Sequence, residues 1–156
     1  MKKAIIGSVA LVVYVNIVPY ACRIWRGLDW VAQYLPDQGK LVSGLLLFGG
    51  FASLAAIPLV VSFLLRKWIP ITFVVSIIVA TALLSFWHHD YDLASDAQAA
   101  IGLAFIPIFA AIITGVVAAI AGVLEFLIRR RKPVANQASH ATSEPAPRAA
   151  SSSRDG

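Results

Sequence analysis

Charged residues are scarce in this sequence, and cysteine is almost absent. Charged side chains make up 13% of the 156 residues, against about 25% in an ordinary soluble domain. The single cysteine, Cys22, excludes a disulfide between two residues of the chain. The shortage of charge is the informative deficit, because a soluble protein of this size needs many more polar positions to cover its surface.

In place of charge, the sequence has four long runs without a single charged residue. The runs cover residues 4–22, 41–65, 68–87 and 97–124. A helix needs about 20 apolar residues to cross the hydrocarbon core of a bilayer, and inside lipid the backbone must satisfy its own hydrogen bonds. We therefore predict an all-α membrane protein with four transmembrane helices. The last helix extends to about residue 128, and the transmembrane domain spans 1–132.

The positions of lysine and arginine predict the orientation. Eight basic residues fall on one side of the predicted bundle: Lys2, Lys3, Arg66, Lys67, Arg129, Arg130, Arg131 and Lys132. The other side carries three, which are Arg23, Arg26 and Lys40. Because cytoplasmic loops carry the excess of basic residues, we expect both termini in the cytoplasm. By architecture the chain resembles small multi-pass proteins of bacterial inner membranes, and no motif assigns it to a family.

The segments outside the runs have two different characters. In the first external loop, apolar residues of 24–35 recur at spacings of three and four, which predicts a short amphipathic helix lying in the membrane interface. A loop that follows the membrane surface is the alternative. Residues 133–156 are rich in alanine, serine and proline without apolar periodicity, so we expect a disordered cytoplasmic tail.

Small and polar residues inside the runs predict how the helices pack. Asn16 is expected to form an interhelical hydrogen bond, and Glu125 an i, i+4 ion pair with Arg129. Pro58 and Pro107 are expected to kink their helices. A stripe of small residues in the fourth helix offers a flat face to a neighbouring helix or to a second copy of the chain; it comprises Ala111, Gly115, Ala119 and Gly122.

The third loop is the one local concentration of metal-binding side chain types in the sequence. Its candidate ligands are His88, His89, Asp90 and Asp92. Imidazole and carboxylate groups suit zinc and other divalent ions, but no established zinc spacing occurs. A solvated connector between two helices explains the same residues without a metal.

The sequence contains no arrangement that identifies an enzyme or a cofactor site. There is no nucleophile–base pattern, no phosphate-binding glycine loop and no nucleic-acid recognition motif. We expect no cofactor and no nucleic-acid partner; the bilayer, a second copy or another membrane protein are the expected partners. The sequence thus favours a non-enzymatic accessory or structural membrane component. The alternatives are an oligomeric pore for small solutes and a metal- or pH-responsive protein that uses the third loop.

Overall fold

The computed structural model describes residues 2–34, 49–93 and 99–141, and all regular elements in this part of the chain are helical. The elements are α1 (Lys2–Arg26), α2 (Leu28–Ala32), a single 3-10 turn (Ser53–Ala56) leading into α3 (Ile57–Leu65), α4 (Pro70–Asp90) and α5 (Ala99–Ala141). The all-α prediction is confirmed for the described residues.

Three helices are long and apolar enough to cross a membrane. They are Lys2–Arg26, Pro70–Asp90 and the Ile101–Arg131 part of α5, and they match the first, third and fourth predicted spans. The second predicted span, 41–65, is only partly described. Its described part, Gly49–Leu65, is a shorter apolar helix, and residues 41–48 lie outside the described residues.

The first helix and α4 run in the same direction. The hydroxyls of Tyr14 and Thr81 lie 2.6 Å apart, and further along both helices the guanidinium of Arg23 donates to the carbonyl of Tyr91. The α3 helix runs the opposite way: Asn16 of α1 donates to Ser53 at 3.5 Å, whereas Gly7 faces the ring of Phe63.

The last helix, α5, is also antiparallel to α4. The carboxylate of Glu125 accepts from the backbone N–H of Ile71 at 3.1 Å, and the rings of Trp87 and Phe109 meet at 6.5 Å near the opposite end. Helix direction therefore alternates along the chain. One end of the bundle, which we call the basic end, carries the described members of the larger predicted basic group. The other end, which we call the Arg23 end, carries α2 and the end of α4.

The bundle has an apolar middle and an apolar outer surface. Val15, Leu59, Ala80 and Ala110 are fully buried where the helices meet. Large apolar side chains on all the long helices stay exposed, for example Ile6, Ile78 and Ile112 at 56–68%. Such a continuous exposed apolar surface is unusual for a soluble monomer and is expected where lipid is the solvent.

The structure can be compared with three predicted details of the helices: the effects of two prolines and the start of the C-terminal tail. Pro58 is the second residue of α3, which follows the 3-10 turn Ser53–Ala56; a proline fits the first turn of a helix, and the kink expected here stays a prediction. At Pro107 the helix continues without interruption. The helix α5 runs through Pro133 to Ala141 and so enters the segment predicted as a disordered tail; residues 142–156 lie outside the described part.

Candidate functional site

The site at the Arg23 end begins with a sharp turn at Gly27. This residue has φ 136°, a conformation open to glycine and strained for other residues. Its N–H donates to the carbonyl of Arg23 at 3.0 Å, and its own carbonyl accepts from Trp30 and Val31. The turn ends α1, starts the five-residue helix α2 and folds residues 28–34 back over the end of α1. The described part of this segment thus has one five-residue helix, while the residues from Ile24 to Arg26 belong to α1. An amphipathic helix that lies in the membrane interface stays a prediction.

Arg23 lies under this turn and is fully buried. One of its terminal nitrogens donates to the Trp30 carbonyl at 3.0 Å and to Gln33 Oε1 at 2.9 Å. The other donates to the carbonyl of Tyr91. The guanidinium carbon also lies 3.6 Å from the centre of the Tyr34 ring, a cation–π distance. Among the described residues, carbonyl and amide oxygens and an aromatic face thus balance the buried charge, without an ion pair to a carboxylate.

Gln33 connects the first loop to the segment that follows α4. Its Oε1 accepts from Arg23 and from the backbone N–H of Leu93, the latter at 3.1 Å. Its Nε2 donates to Asp92 Oδ1 at 3.0 Å. One amide side chain therefore joins α1, the first loop and residues 92–93, which fixes the two loops of this end relative to each other.

Tyr34 and His88 form the buried floor of the site. Their hydroxyl and Nδ1 atoms lie 2.7 Å apart, and both side chains are buried. Burial raises the pKa of the Tyr34 hydroxyl to about 12, because desolvation disfavours the phenolate more than nearby Arg23 favours it. The hydroxyl therefore stays protonated over the physiological range.

The outer rim of the site is exposed. Arg26 stacks on the Trp30 ring at 3.6 Å and pairs with Asp90 at 3.4 Å, and Asp90 Oδ1 lies 2.8 Å from His89 Nδ1. These ion pairs are largely solvated, so each contributes little to stability. A surface cavity of about 500 Å³ adjoins the rim; its lining includes Cys22, Trp25, Ser85, His89 and Asp90.

The four predicted metal ligands point in different directions. His88 is buried against Tyr34, whereas His89 and Asp90 pair on the exposed rim. Asp92 accepts from Gln33. Within the described ranges, no group of three or more His, Cys, Asp or Glu side chains gathers at metal-binding distance. The structure therefore brings His89 and Asp90 into contact with each other. His88 and Asp92 instead contact Tyr34 and Gln33.

A second polar place lies at the basic end, around Glu125. This side chain is 4% exposed and forms the predicted pair with Arg129 at 2.6 Å. It also accepts from the N–H of Ile71, directly after Pro70 at the start of α4. A carboxylate at a helix N-terminus satisfies a free N–H and favours the helix dipole, so Glu125 of α5 caps α4.

Sequence reasoning missed the burial of Arg23. From its position just after an apolar run it was expected on the external side as an ordinary loop residue. The one available signal is the glycine four residues later, because Gly27 permits the chain to turn back over Arg23. Asn16 was predicted to bond to another helix: its Nδ2 donates to Ser53 at 3.5 Å, and at the shorter distance of 2.8 Å to the carbonyl of Val12 in its own helix.

Comparison of the chain with protein-family models, with curated proteins and with solved structures finds no match.

Proposed function

We propose that the protein is a four-span integral membrane protein with both termini in the cytoplasm. In this proposal it is an accessory or structural component of a bacterial inner membrane and neither catalyses a reaction nor conducts a solute. Residues 41–65 form the second span, and the Arg23 end lies on the external side. The basic residues concentrated at one end support this orientation.

The apolar stretch on the buried face of α4 is the observation that carries the proposal. The buried face of α4 has polar groups near its start and its end, at Ser76 and His88. Between them lie Ala80 and Leu84, which are 0% and 2% exposed. The two residues are twelve positions apart along the helix, about 18 Å at the usual rise per residue. An ion or polar solute needs polar partners along its path. The buried face of α4 offers none in this stretch, and the hydroxyl of Thr81 beside it is already bonded to Tyr14 and to the carbonyl of Ile77.

The polar side chains within the bundle mostly satisfy one another. Ser62 and Ser76 bond at 2.8 Å between α3 and α4, and Tyr14 bonds to Thr81. Among buried side chains of the described part, only Arg23 Nε and the hydroxyls of Thr72 and Thr114 lack a hydrogen-bond partner. Interhelical bonds of this kind hold membrane helices together, which favours a structural role over a binding pocket for a polar substrate.

The exposed apolar residues of the first loop support a position in the outer interface. Trp25, near the end of α1, and Leu28, at the start of α2, are 88% and 80% exposed. Tryptophan is favoured at the level of the lipid headgroups, where its ring is in apolar surroundings and its N–H meets polar groups. In this position α2 would lie on the membrane with the Arg23 network beneath it.

A flux assay together with purification in mild detergent tests the proposed function. Liposomes that contain the purified protein are expected to release a trapped ion or dye no faster than protein-free liposomes. The tagged protein, purified from its own membranes, is expected to retain a second membrane protein in a fixed ratio. Leakage that rises with the amount of protein would support the oligomeric pore instead, and a partner-free monomer would contradict the accessory role.

A further inference from the structure

An apolar groove runs between α3 and α5 towards the basic end. Its volume is about 730 Å³. The α5 side is built from the small residues of the predicted stripe, including Gly115, Ala119 and Gly122, and the α3 side from Ile57, Val61 and Leu65. Gly115 faces Pro58 at van der Waals distance, and a side chain at Gly122 would contact Thr72. The small residues therefore let α5 approach its neighbours closely and form the floor of a groove that is open at the surface of the bundle.

Positive charge surrounds the mouth of this groove. Leu65 and Phe126 line the groove at its end, and the guanidinium of Arg130 lies 4.4 Å from the centre of the Phe126 ring. Arg66 and Lys67 follow Leu65 directly and are exposed; the guanidinium of Arg66 lies 4.3 Å from the centre of the Phe63 ring, next to the groove lining rather than in it. The one buried carboxylate described nearby, Glu125, is already paired with Arg129. The side chains next to this end of the groove are therefore mainly cationic, with Arg130 on a lining residue and Arg66 and Lys67 one and two residues beyond another.

We propose that the groove binds an anionic phospholipid, with an acyl chain along the groove floor and the headgroup phosphate among Arg66, Lys67 and Arg130. The apolar lining matches the chain, and cations close to a membrane surface attract anionic headgroups. A second copy of the protein fits less well. Inserted in the same orientation, it would bring its own basic end to the same level, where like charges repel.

The proposal requires α3 to lie in the membrane, as the proposed topology states, and is independent of the accessory role. The test measures how much phospholipid stays bound to purified protein in detergent, using phosphatidylglycerol and phosphatidylcholine with identical acyl chains. Wild-type protein is expected to retain the anionic lipid preferentially. Equal retention of both lipids would overturn the proposal.

Two pairs of variants separate the groove from general surface attraction. Ala119→Phe fills the groove at an exposed position, and its control, Ala82→Phe, adds the same ring on the exposed face of α4. The double variant R66Q/K67Q removes two cations from the mouth, and its control K2Q/K3Q removes two exposed cations from the start of α1.

We expect Ala119→Phe to reduce retention of phosphatidylglycerol to the level of phosphatidylcholine, and R66Q/K67Q to weaken it by at least about tenfold. Both controls should stay within about twofold of wild type. Ala119→Leu repeats the groove test if the phenylalanine variant does not fold. Unchanged retention in both Ala119 variants, with loss only in R66Q/K67Q, would reduce the interaction to surface charge and overturn the proposal.

Discussion

Arg23 illustrates how a single buried cation can organise one end of a helical bundle. Its charge cannot be removed by deprotonation, because arginine stays protonated in proteins. The flat guanidinium instead donates to three oxygens in different segments, at Trp30, Gln33 and Tyr91. A lysine ammonium lacks this fixed fork of donors, so the geometry requires arginine.

Replacement of Arg23 by glutamine should destabilise the bundle by about 2–3 kcal/mol. The substitution leaves buried carbonyls without their charged donor, and hydrogen bonds to charged groups are worth about that much. Thermal unfolding in detergent measures the change. The matched control is Arg26→Gln, three residues on, where the side chain is exposed and its ion pair solvated; we expect a loss below about 1 kcal/mol. Equal unfolding temperatures for the two variants would contradict a central role for Arg23.

The alkaline titration of Tyr34 should be delayed. With a pKa raised from 10.0 to about 12 by burial, its contribution to stability is complete below pH 10. This contribution is lost as the pH rises towards 12, because the unfolded chain ionises this tyrosine first. Absorbance of tyrosinate should therefore show a component that titrates late in folded protein. The late component should disappear in Tyr34→Phe; its persistence there would assign it to another tyrosine.

At the scale of elements, the turn at Gly27 decides whether residues 28–34 reach Arg23. A side chain at this position would meet no neighbouring atoms within 4 Å, so any effect of a substitution comes from the backbone alone. The positive φ of 136° is the reason for glycine here, since a Cβ makes such a conformation costly.

Gly27→Ala should therefore cost about 1–2 kcal/mol, although it adds only one methyl group in open space. The matched control is Gly50→Ala. Gly50 also has open space around its Cβ position but lies in a helical stretch without positive φ, where alanine is favoured by up to about 1 kcal/mol. Urea- or SDS-induced unfolding of the two variants gives the comparison. Similar effects of both substitutions would show that the turn at Gly27 is not strained for other residues.

The positions of the long helices could be predicted from the sequence, because a single physical requirement determines the length of a membrane-spanning helix. The thickness of the hydrocarbon core sets the length of an uncharged run, and three predicted spans correspond to Lys2–Arg26, Pro70–Asp90 and Ile101–Arg131. The ion pair of Glu125 and Arg129 could also be predicted, because residues four apart in a helix lie one turn from each other.

The Arg23 network could not be predicted, because its contacts join distant parts of the chain. Tyr91 is 68 residues from Arg23, and His88 is 54 residues from Tyr34. From the sequence, His88 and His89 were both candidate ligands of one metal site, with a solvated connector as the alternative. The helical geometry of α4 instead separates adjacent side chains, so that one is buried and the other exposed.

At the scale of the whole molecule, the two ends of the bundle differ in charge and in chemistry. The basic end combines the capping carboxylate Glu125 with exposed cations such as Arg66 and Lys67. The Arg23 end carries a neutral-ligand network and a rim on which Asp90 is exposed. Apolar side chains lie between the two ends. The unequal number of basic residues at the two ends is the basis for the proposed orientation in the membrane.

Accessibility of single cysteines to a membrane-impermeant maleimide tests that orientation most directly. Cys22→Ser gives a background without cysteine, into which Asp29→Cys at the Arg23 end and Lys67→Cys at the basic end are introduced separately; both positions are exposed. We predict that the cysteine at 29 is labelled in intact cells and that the cysteine at 67 is labelled only after permeabilisation. Labelling of both in intact cells, or the reverse pattern, would contradict the membrane-spanning bundle with its basic end in the cytoplasm.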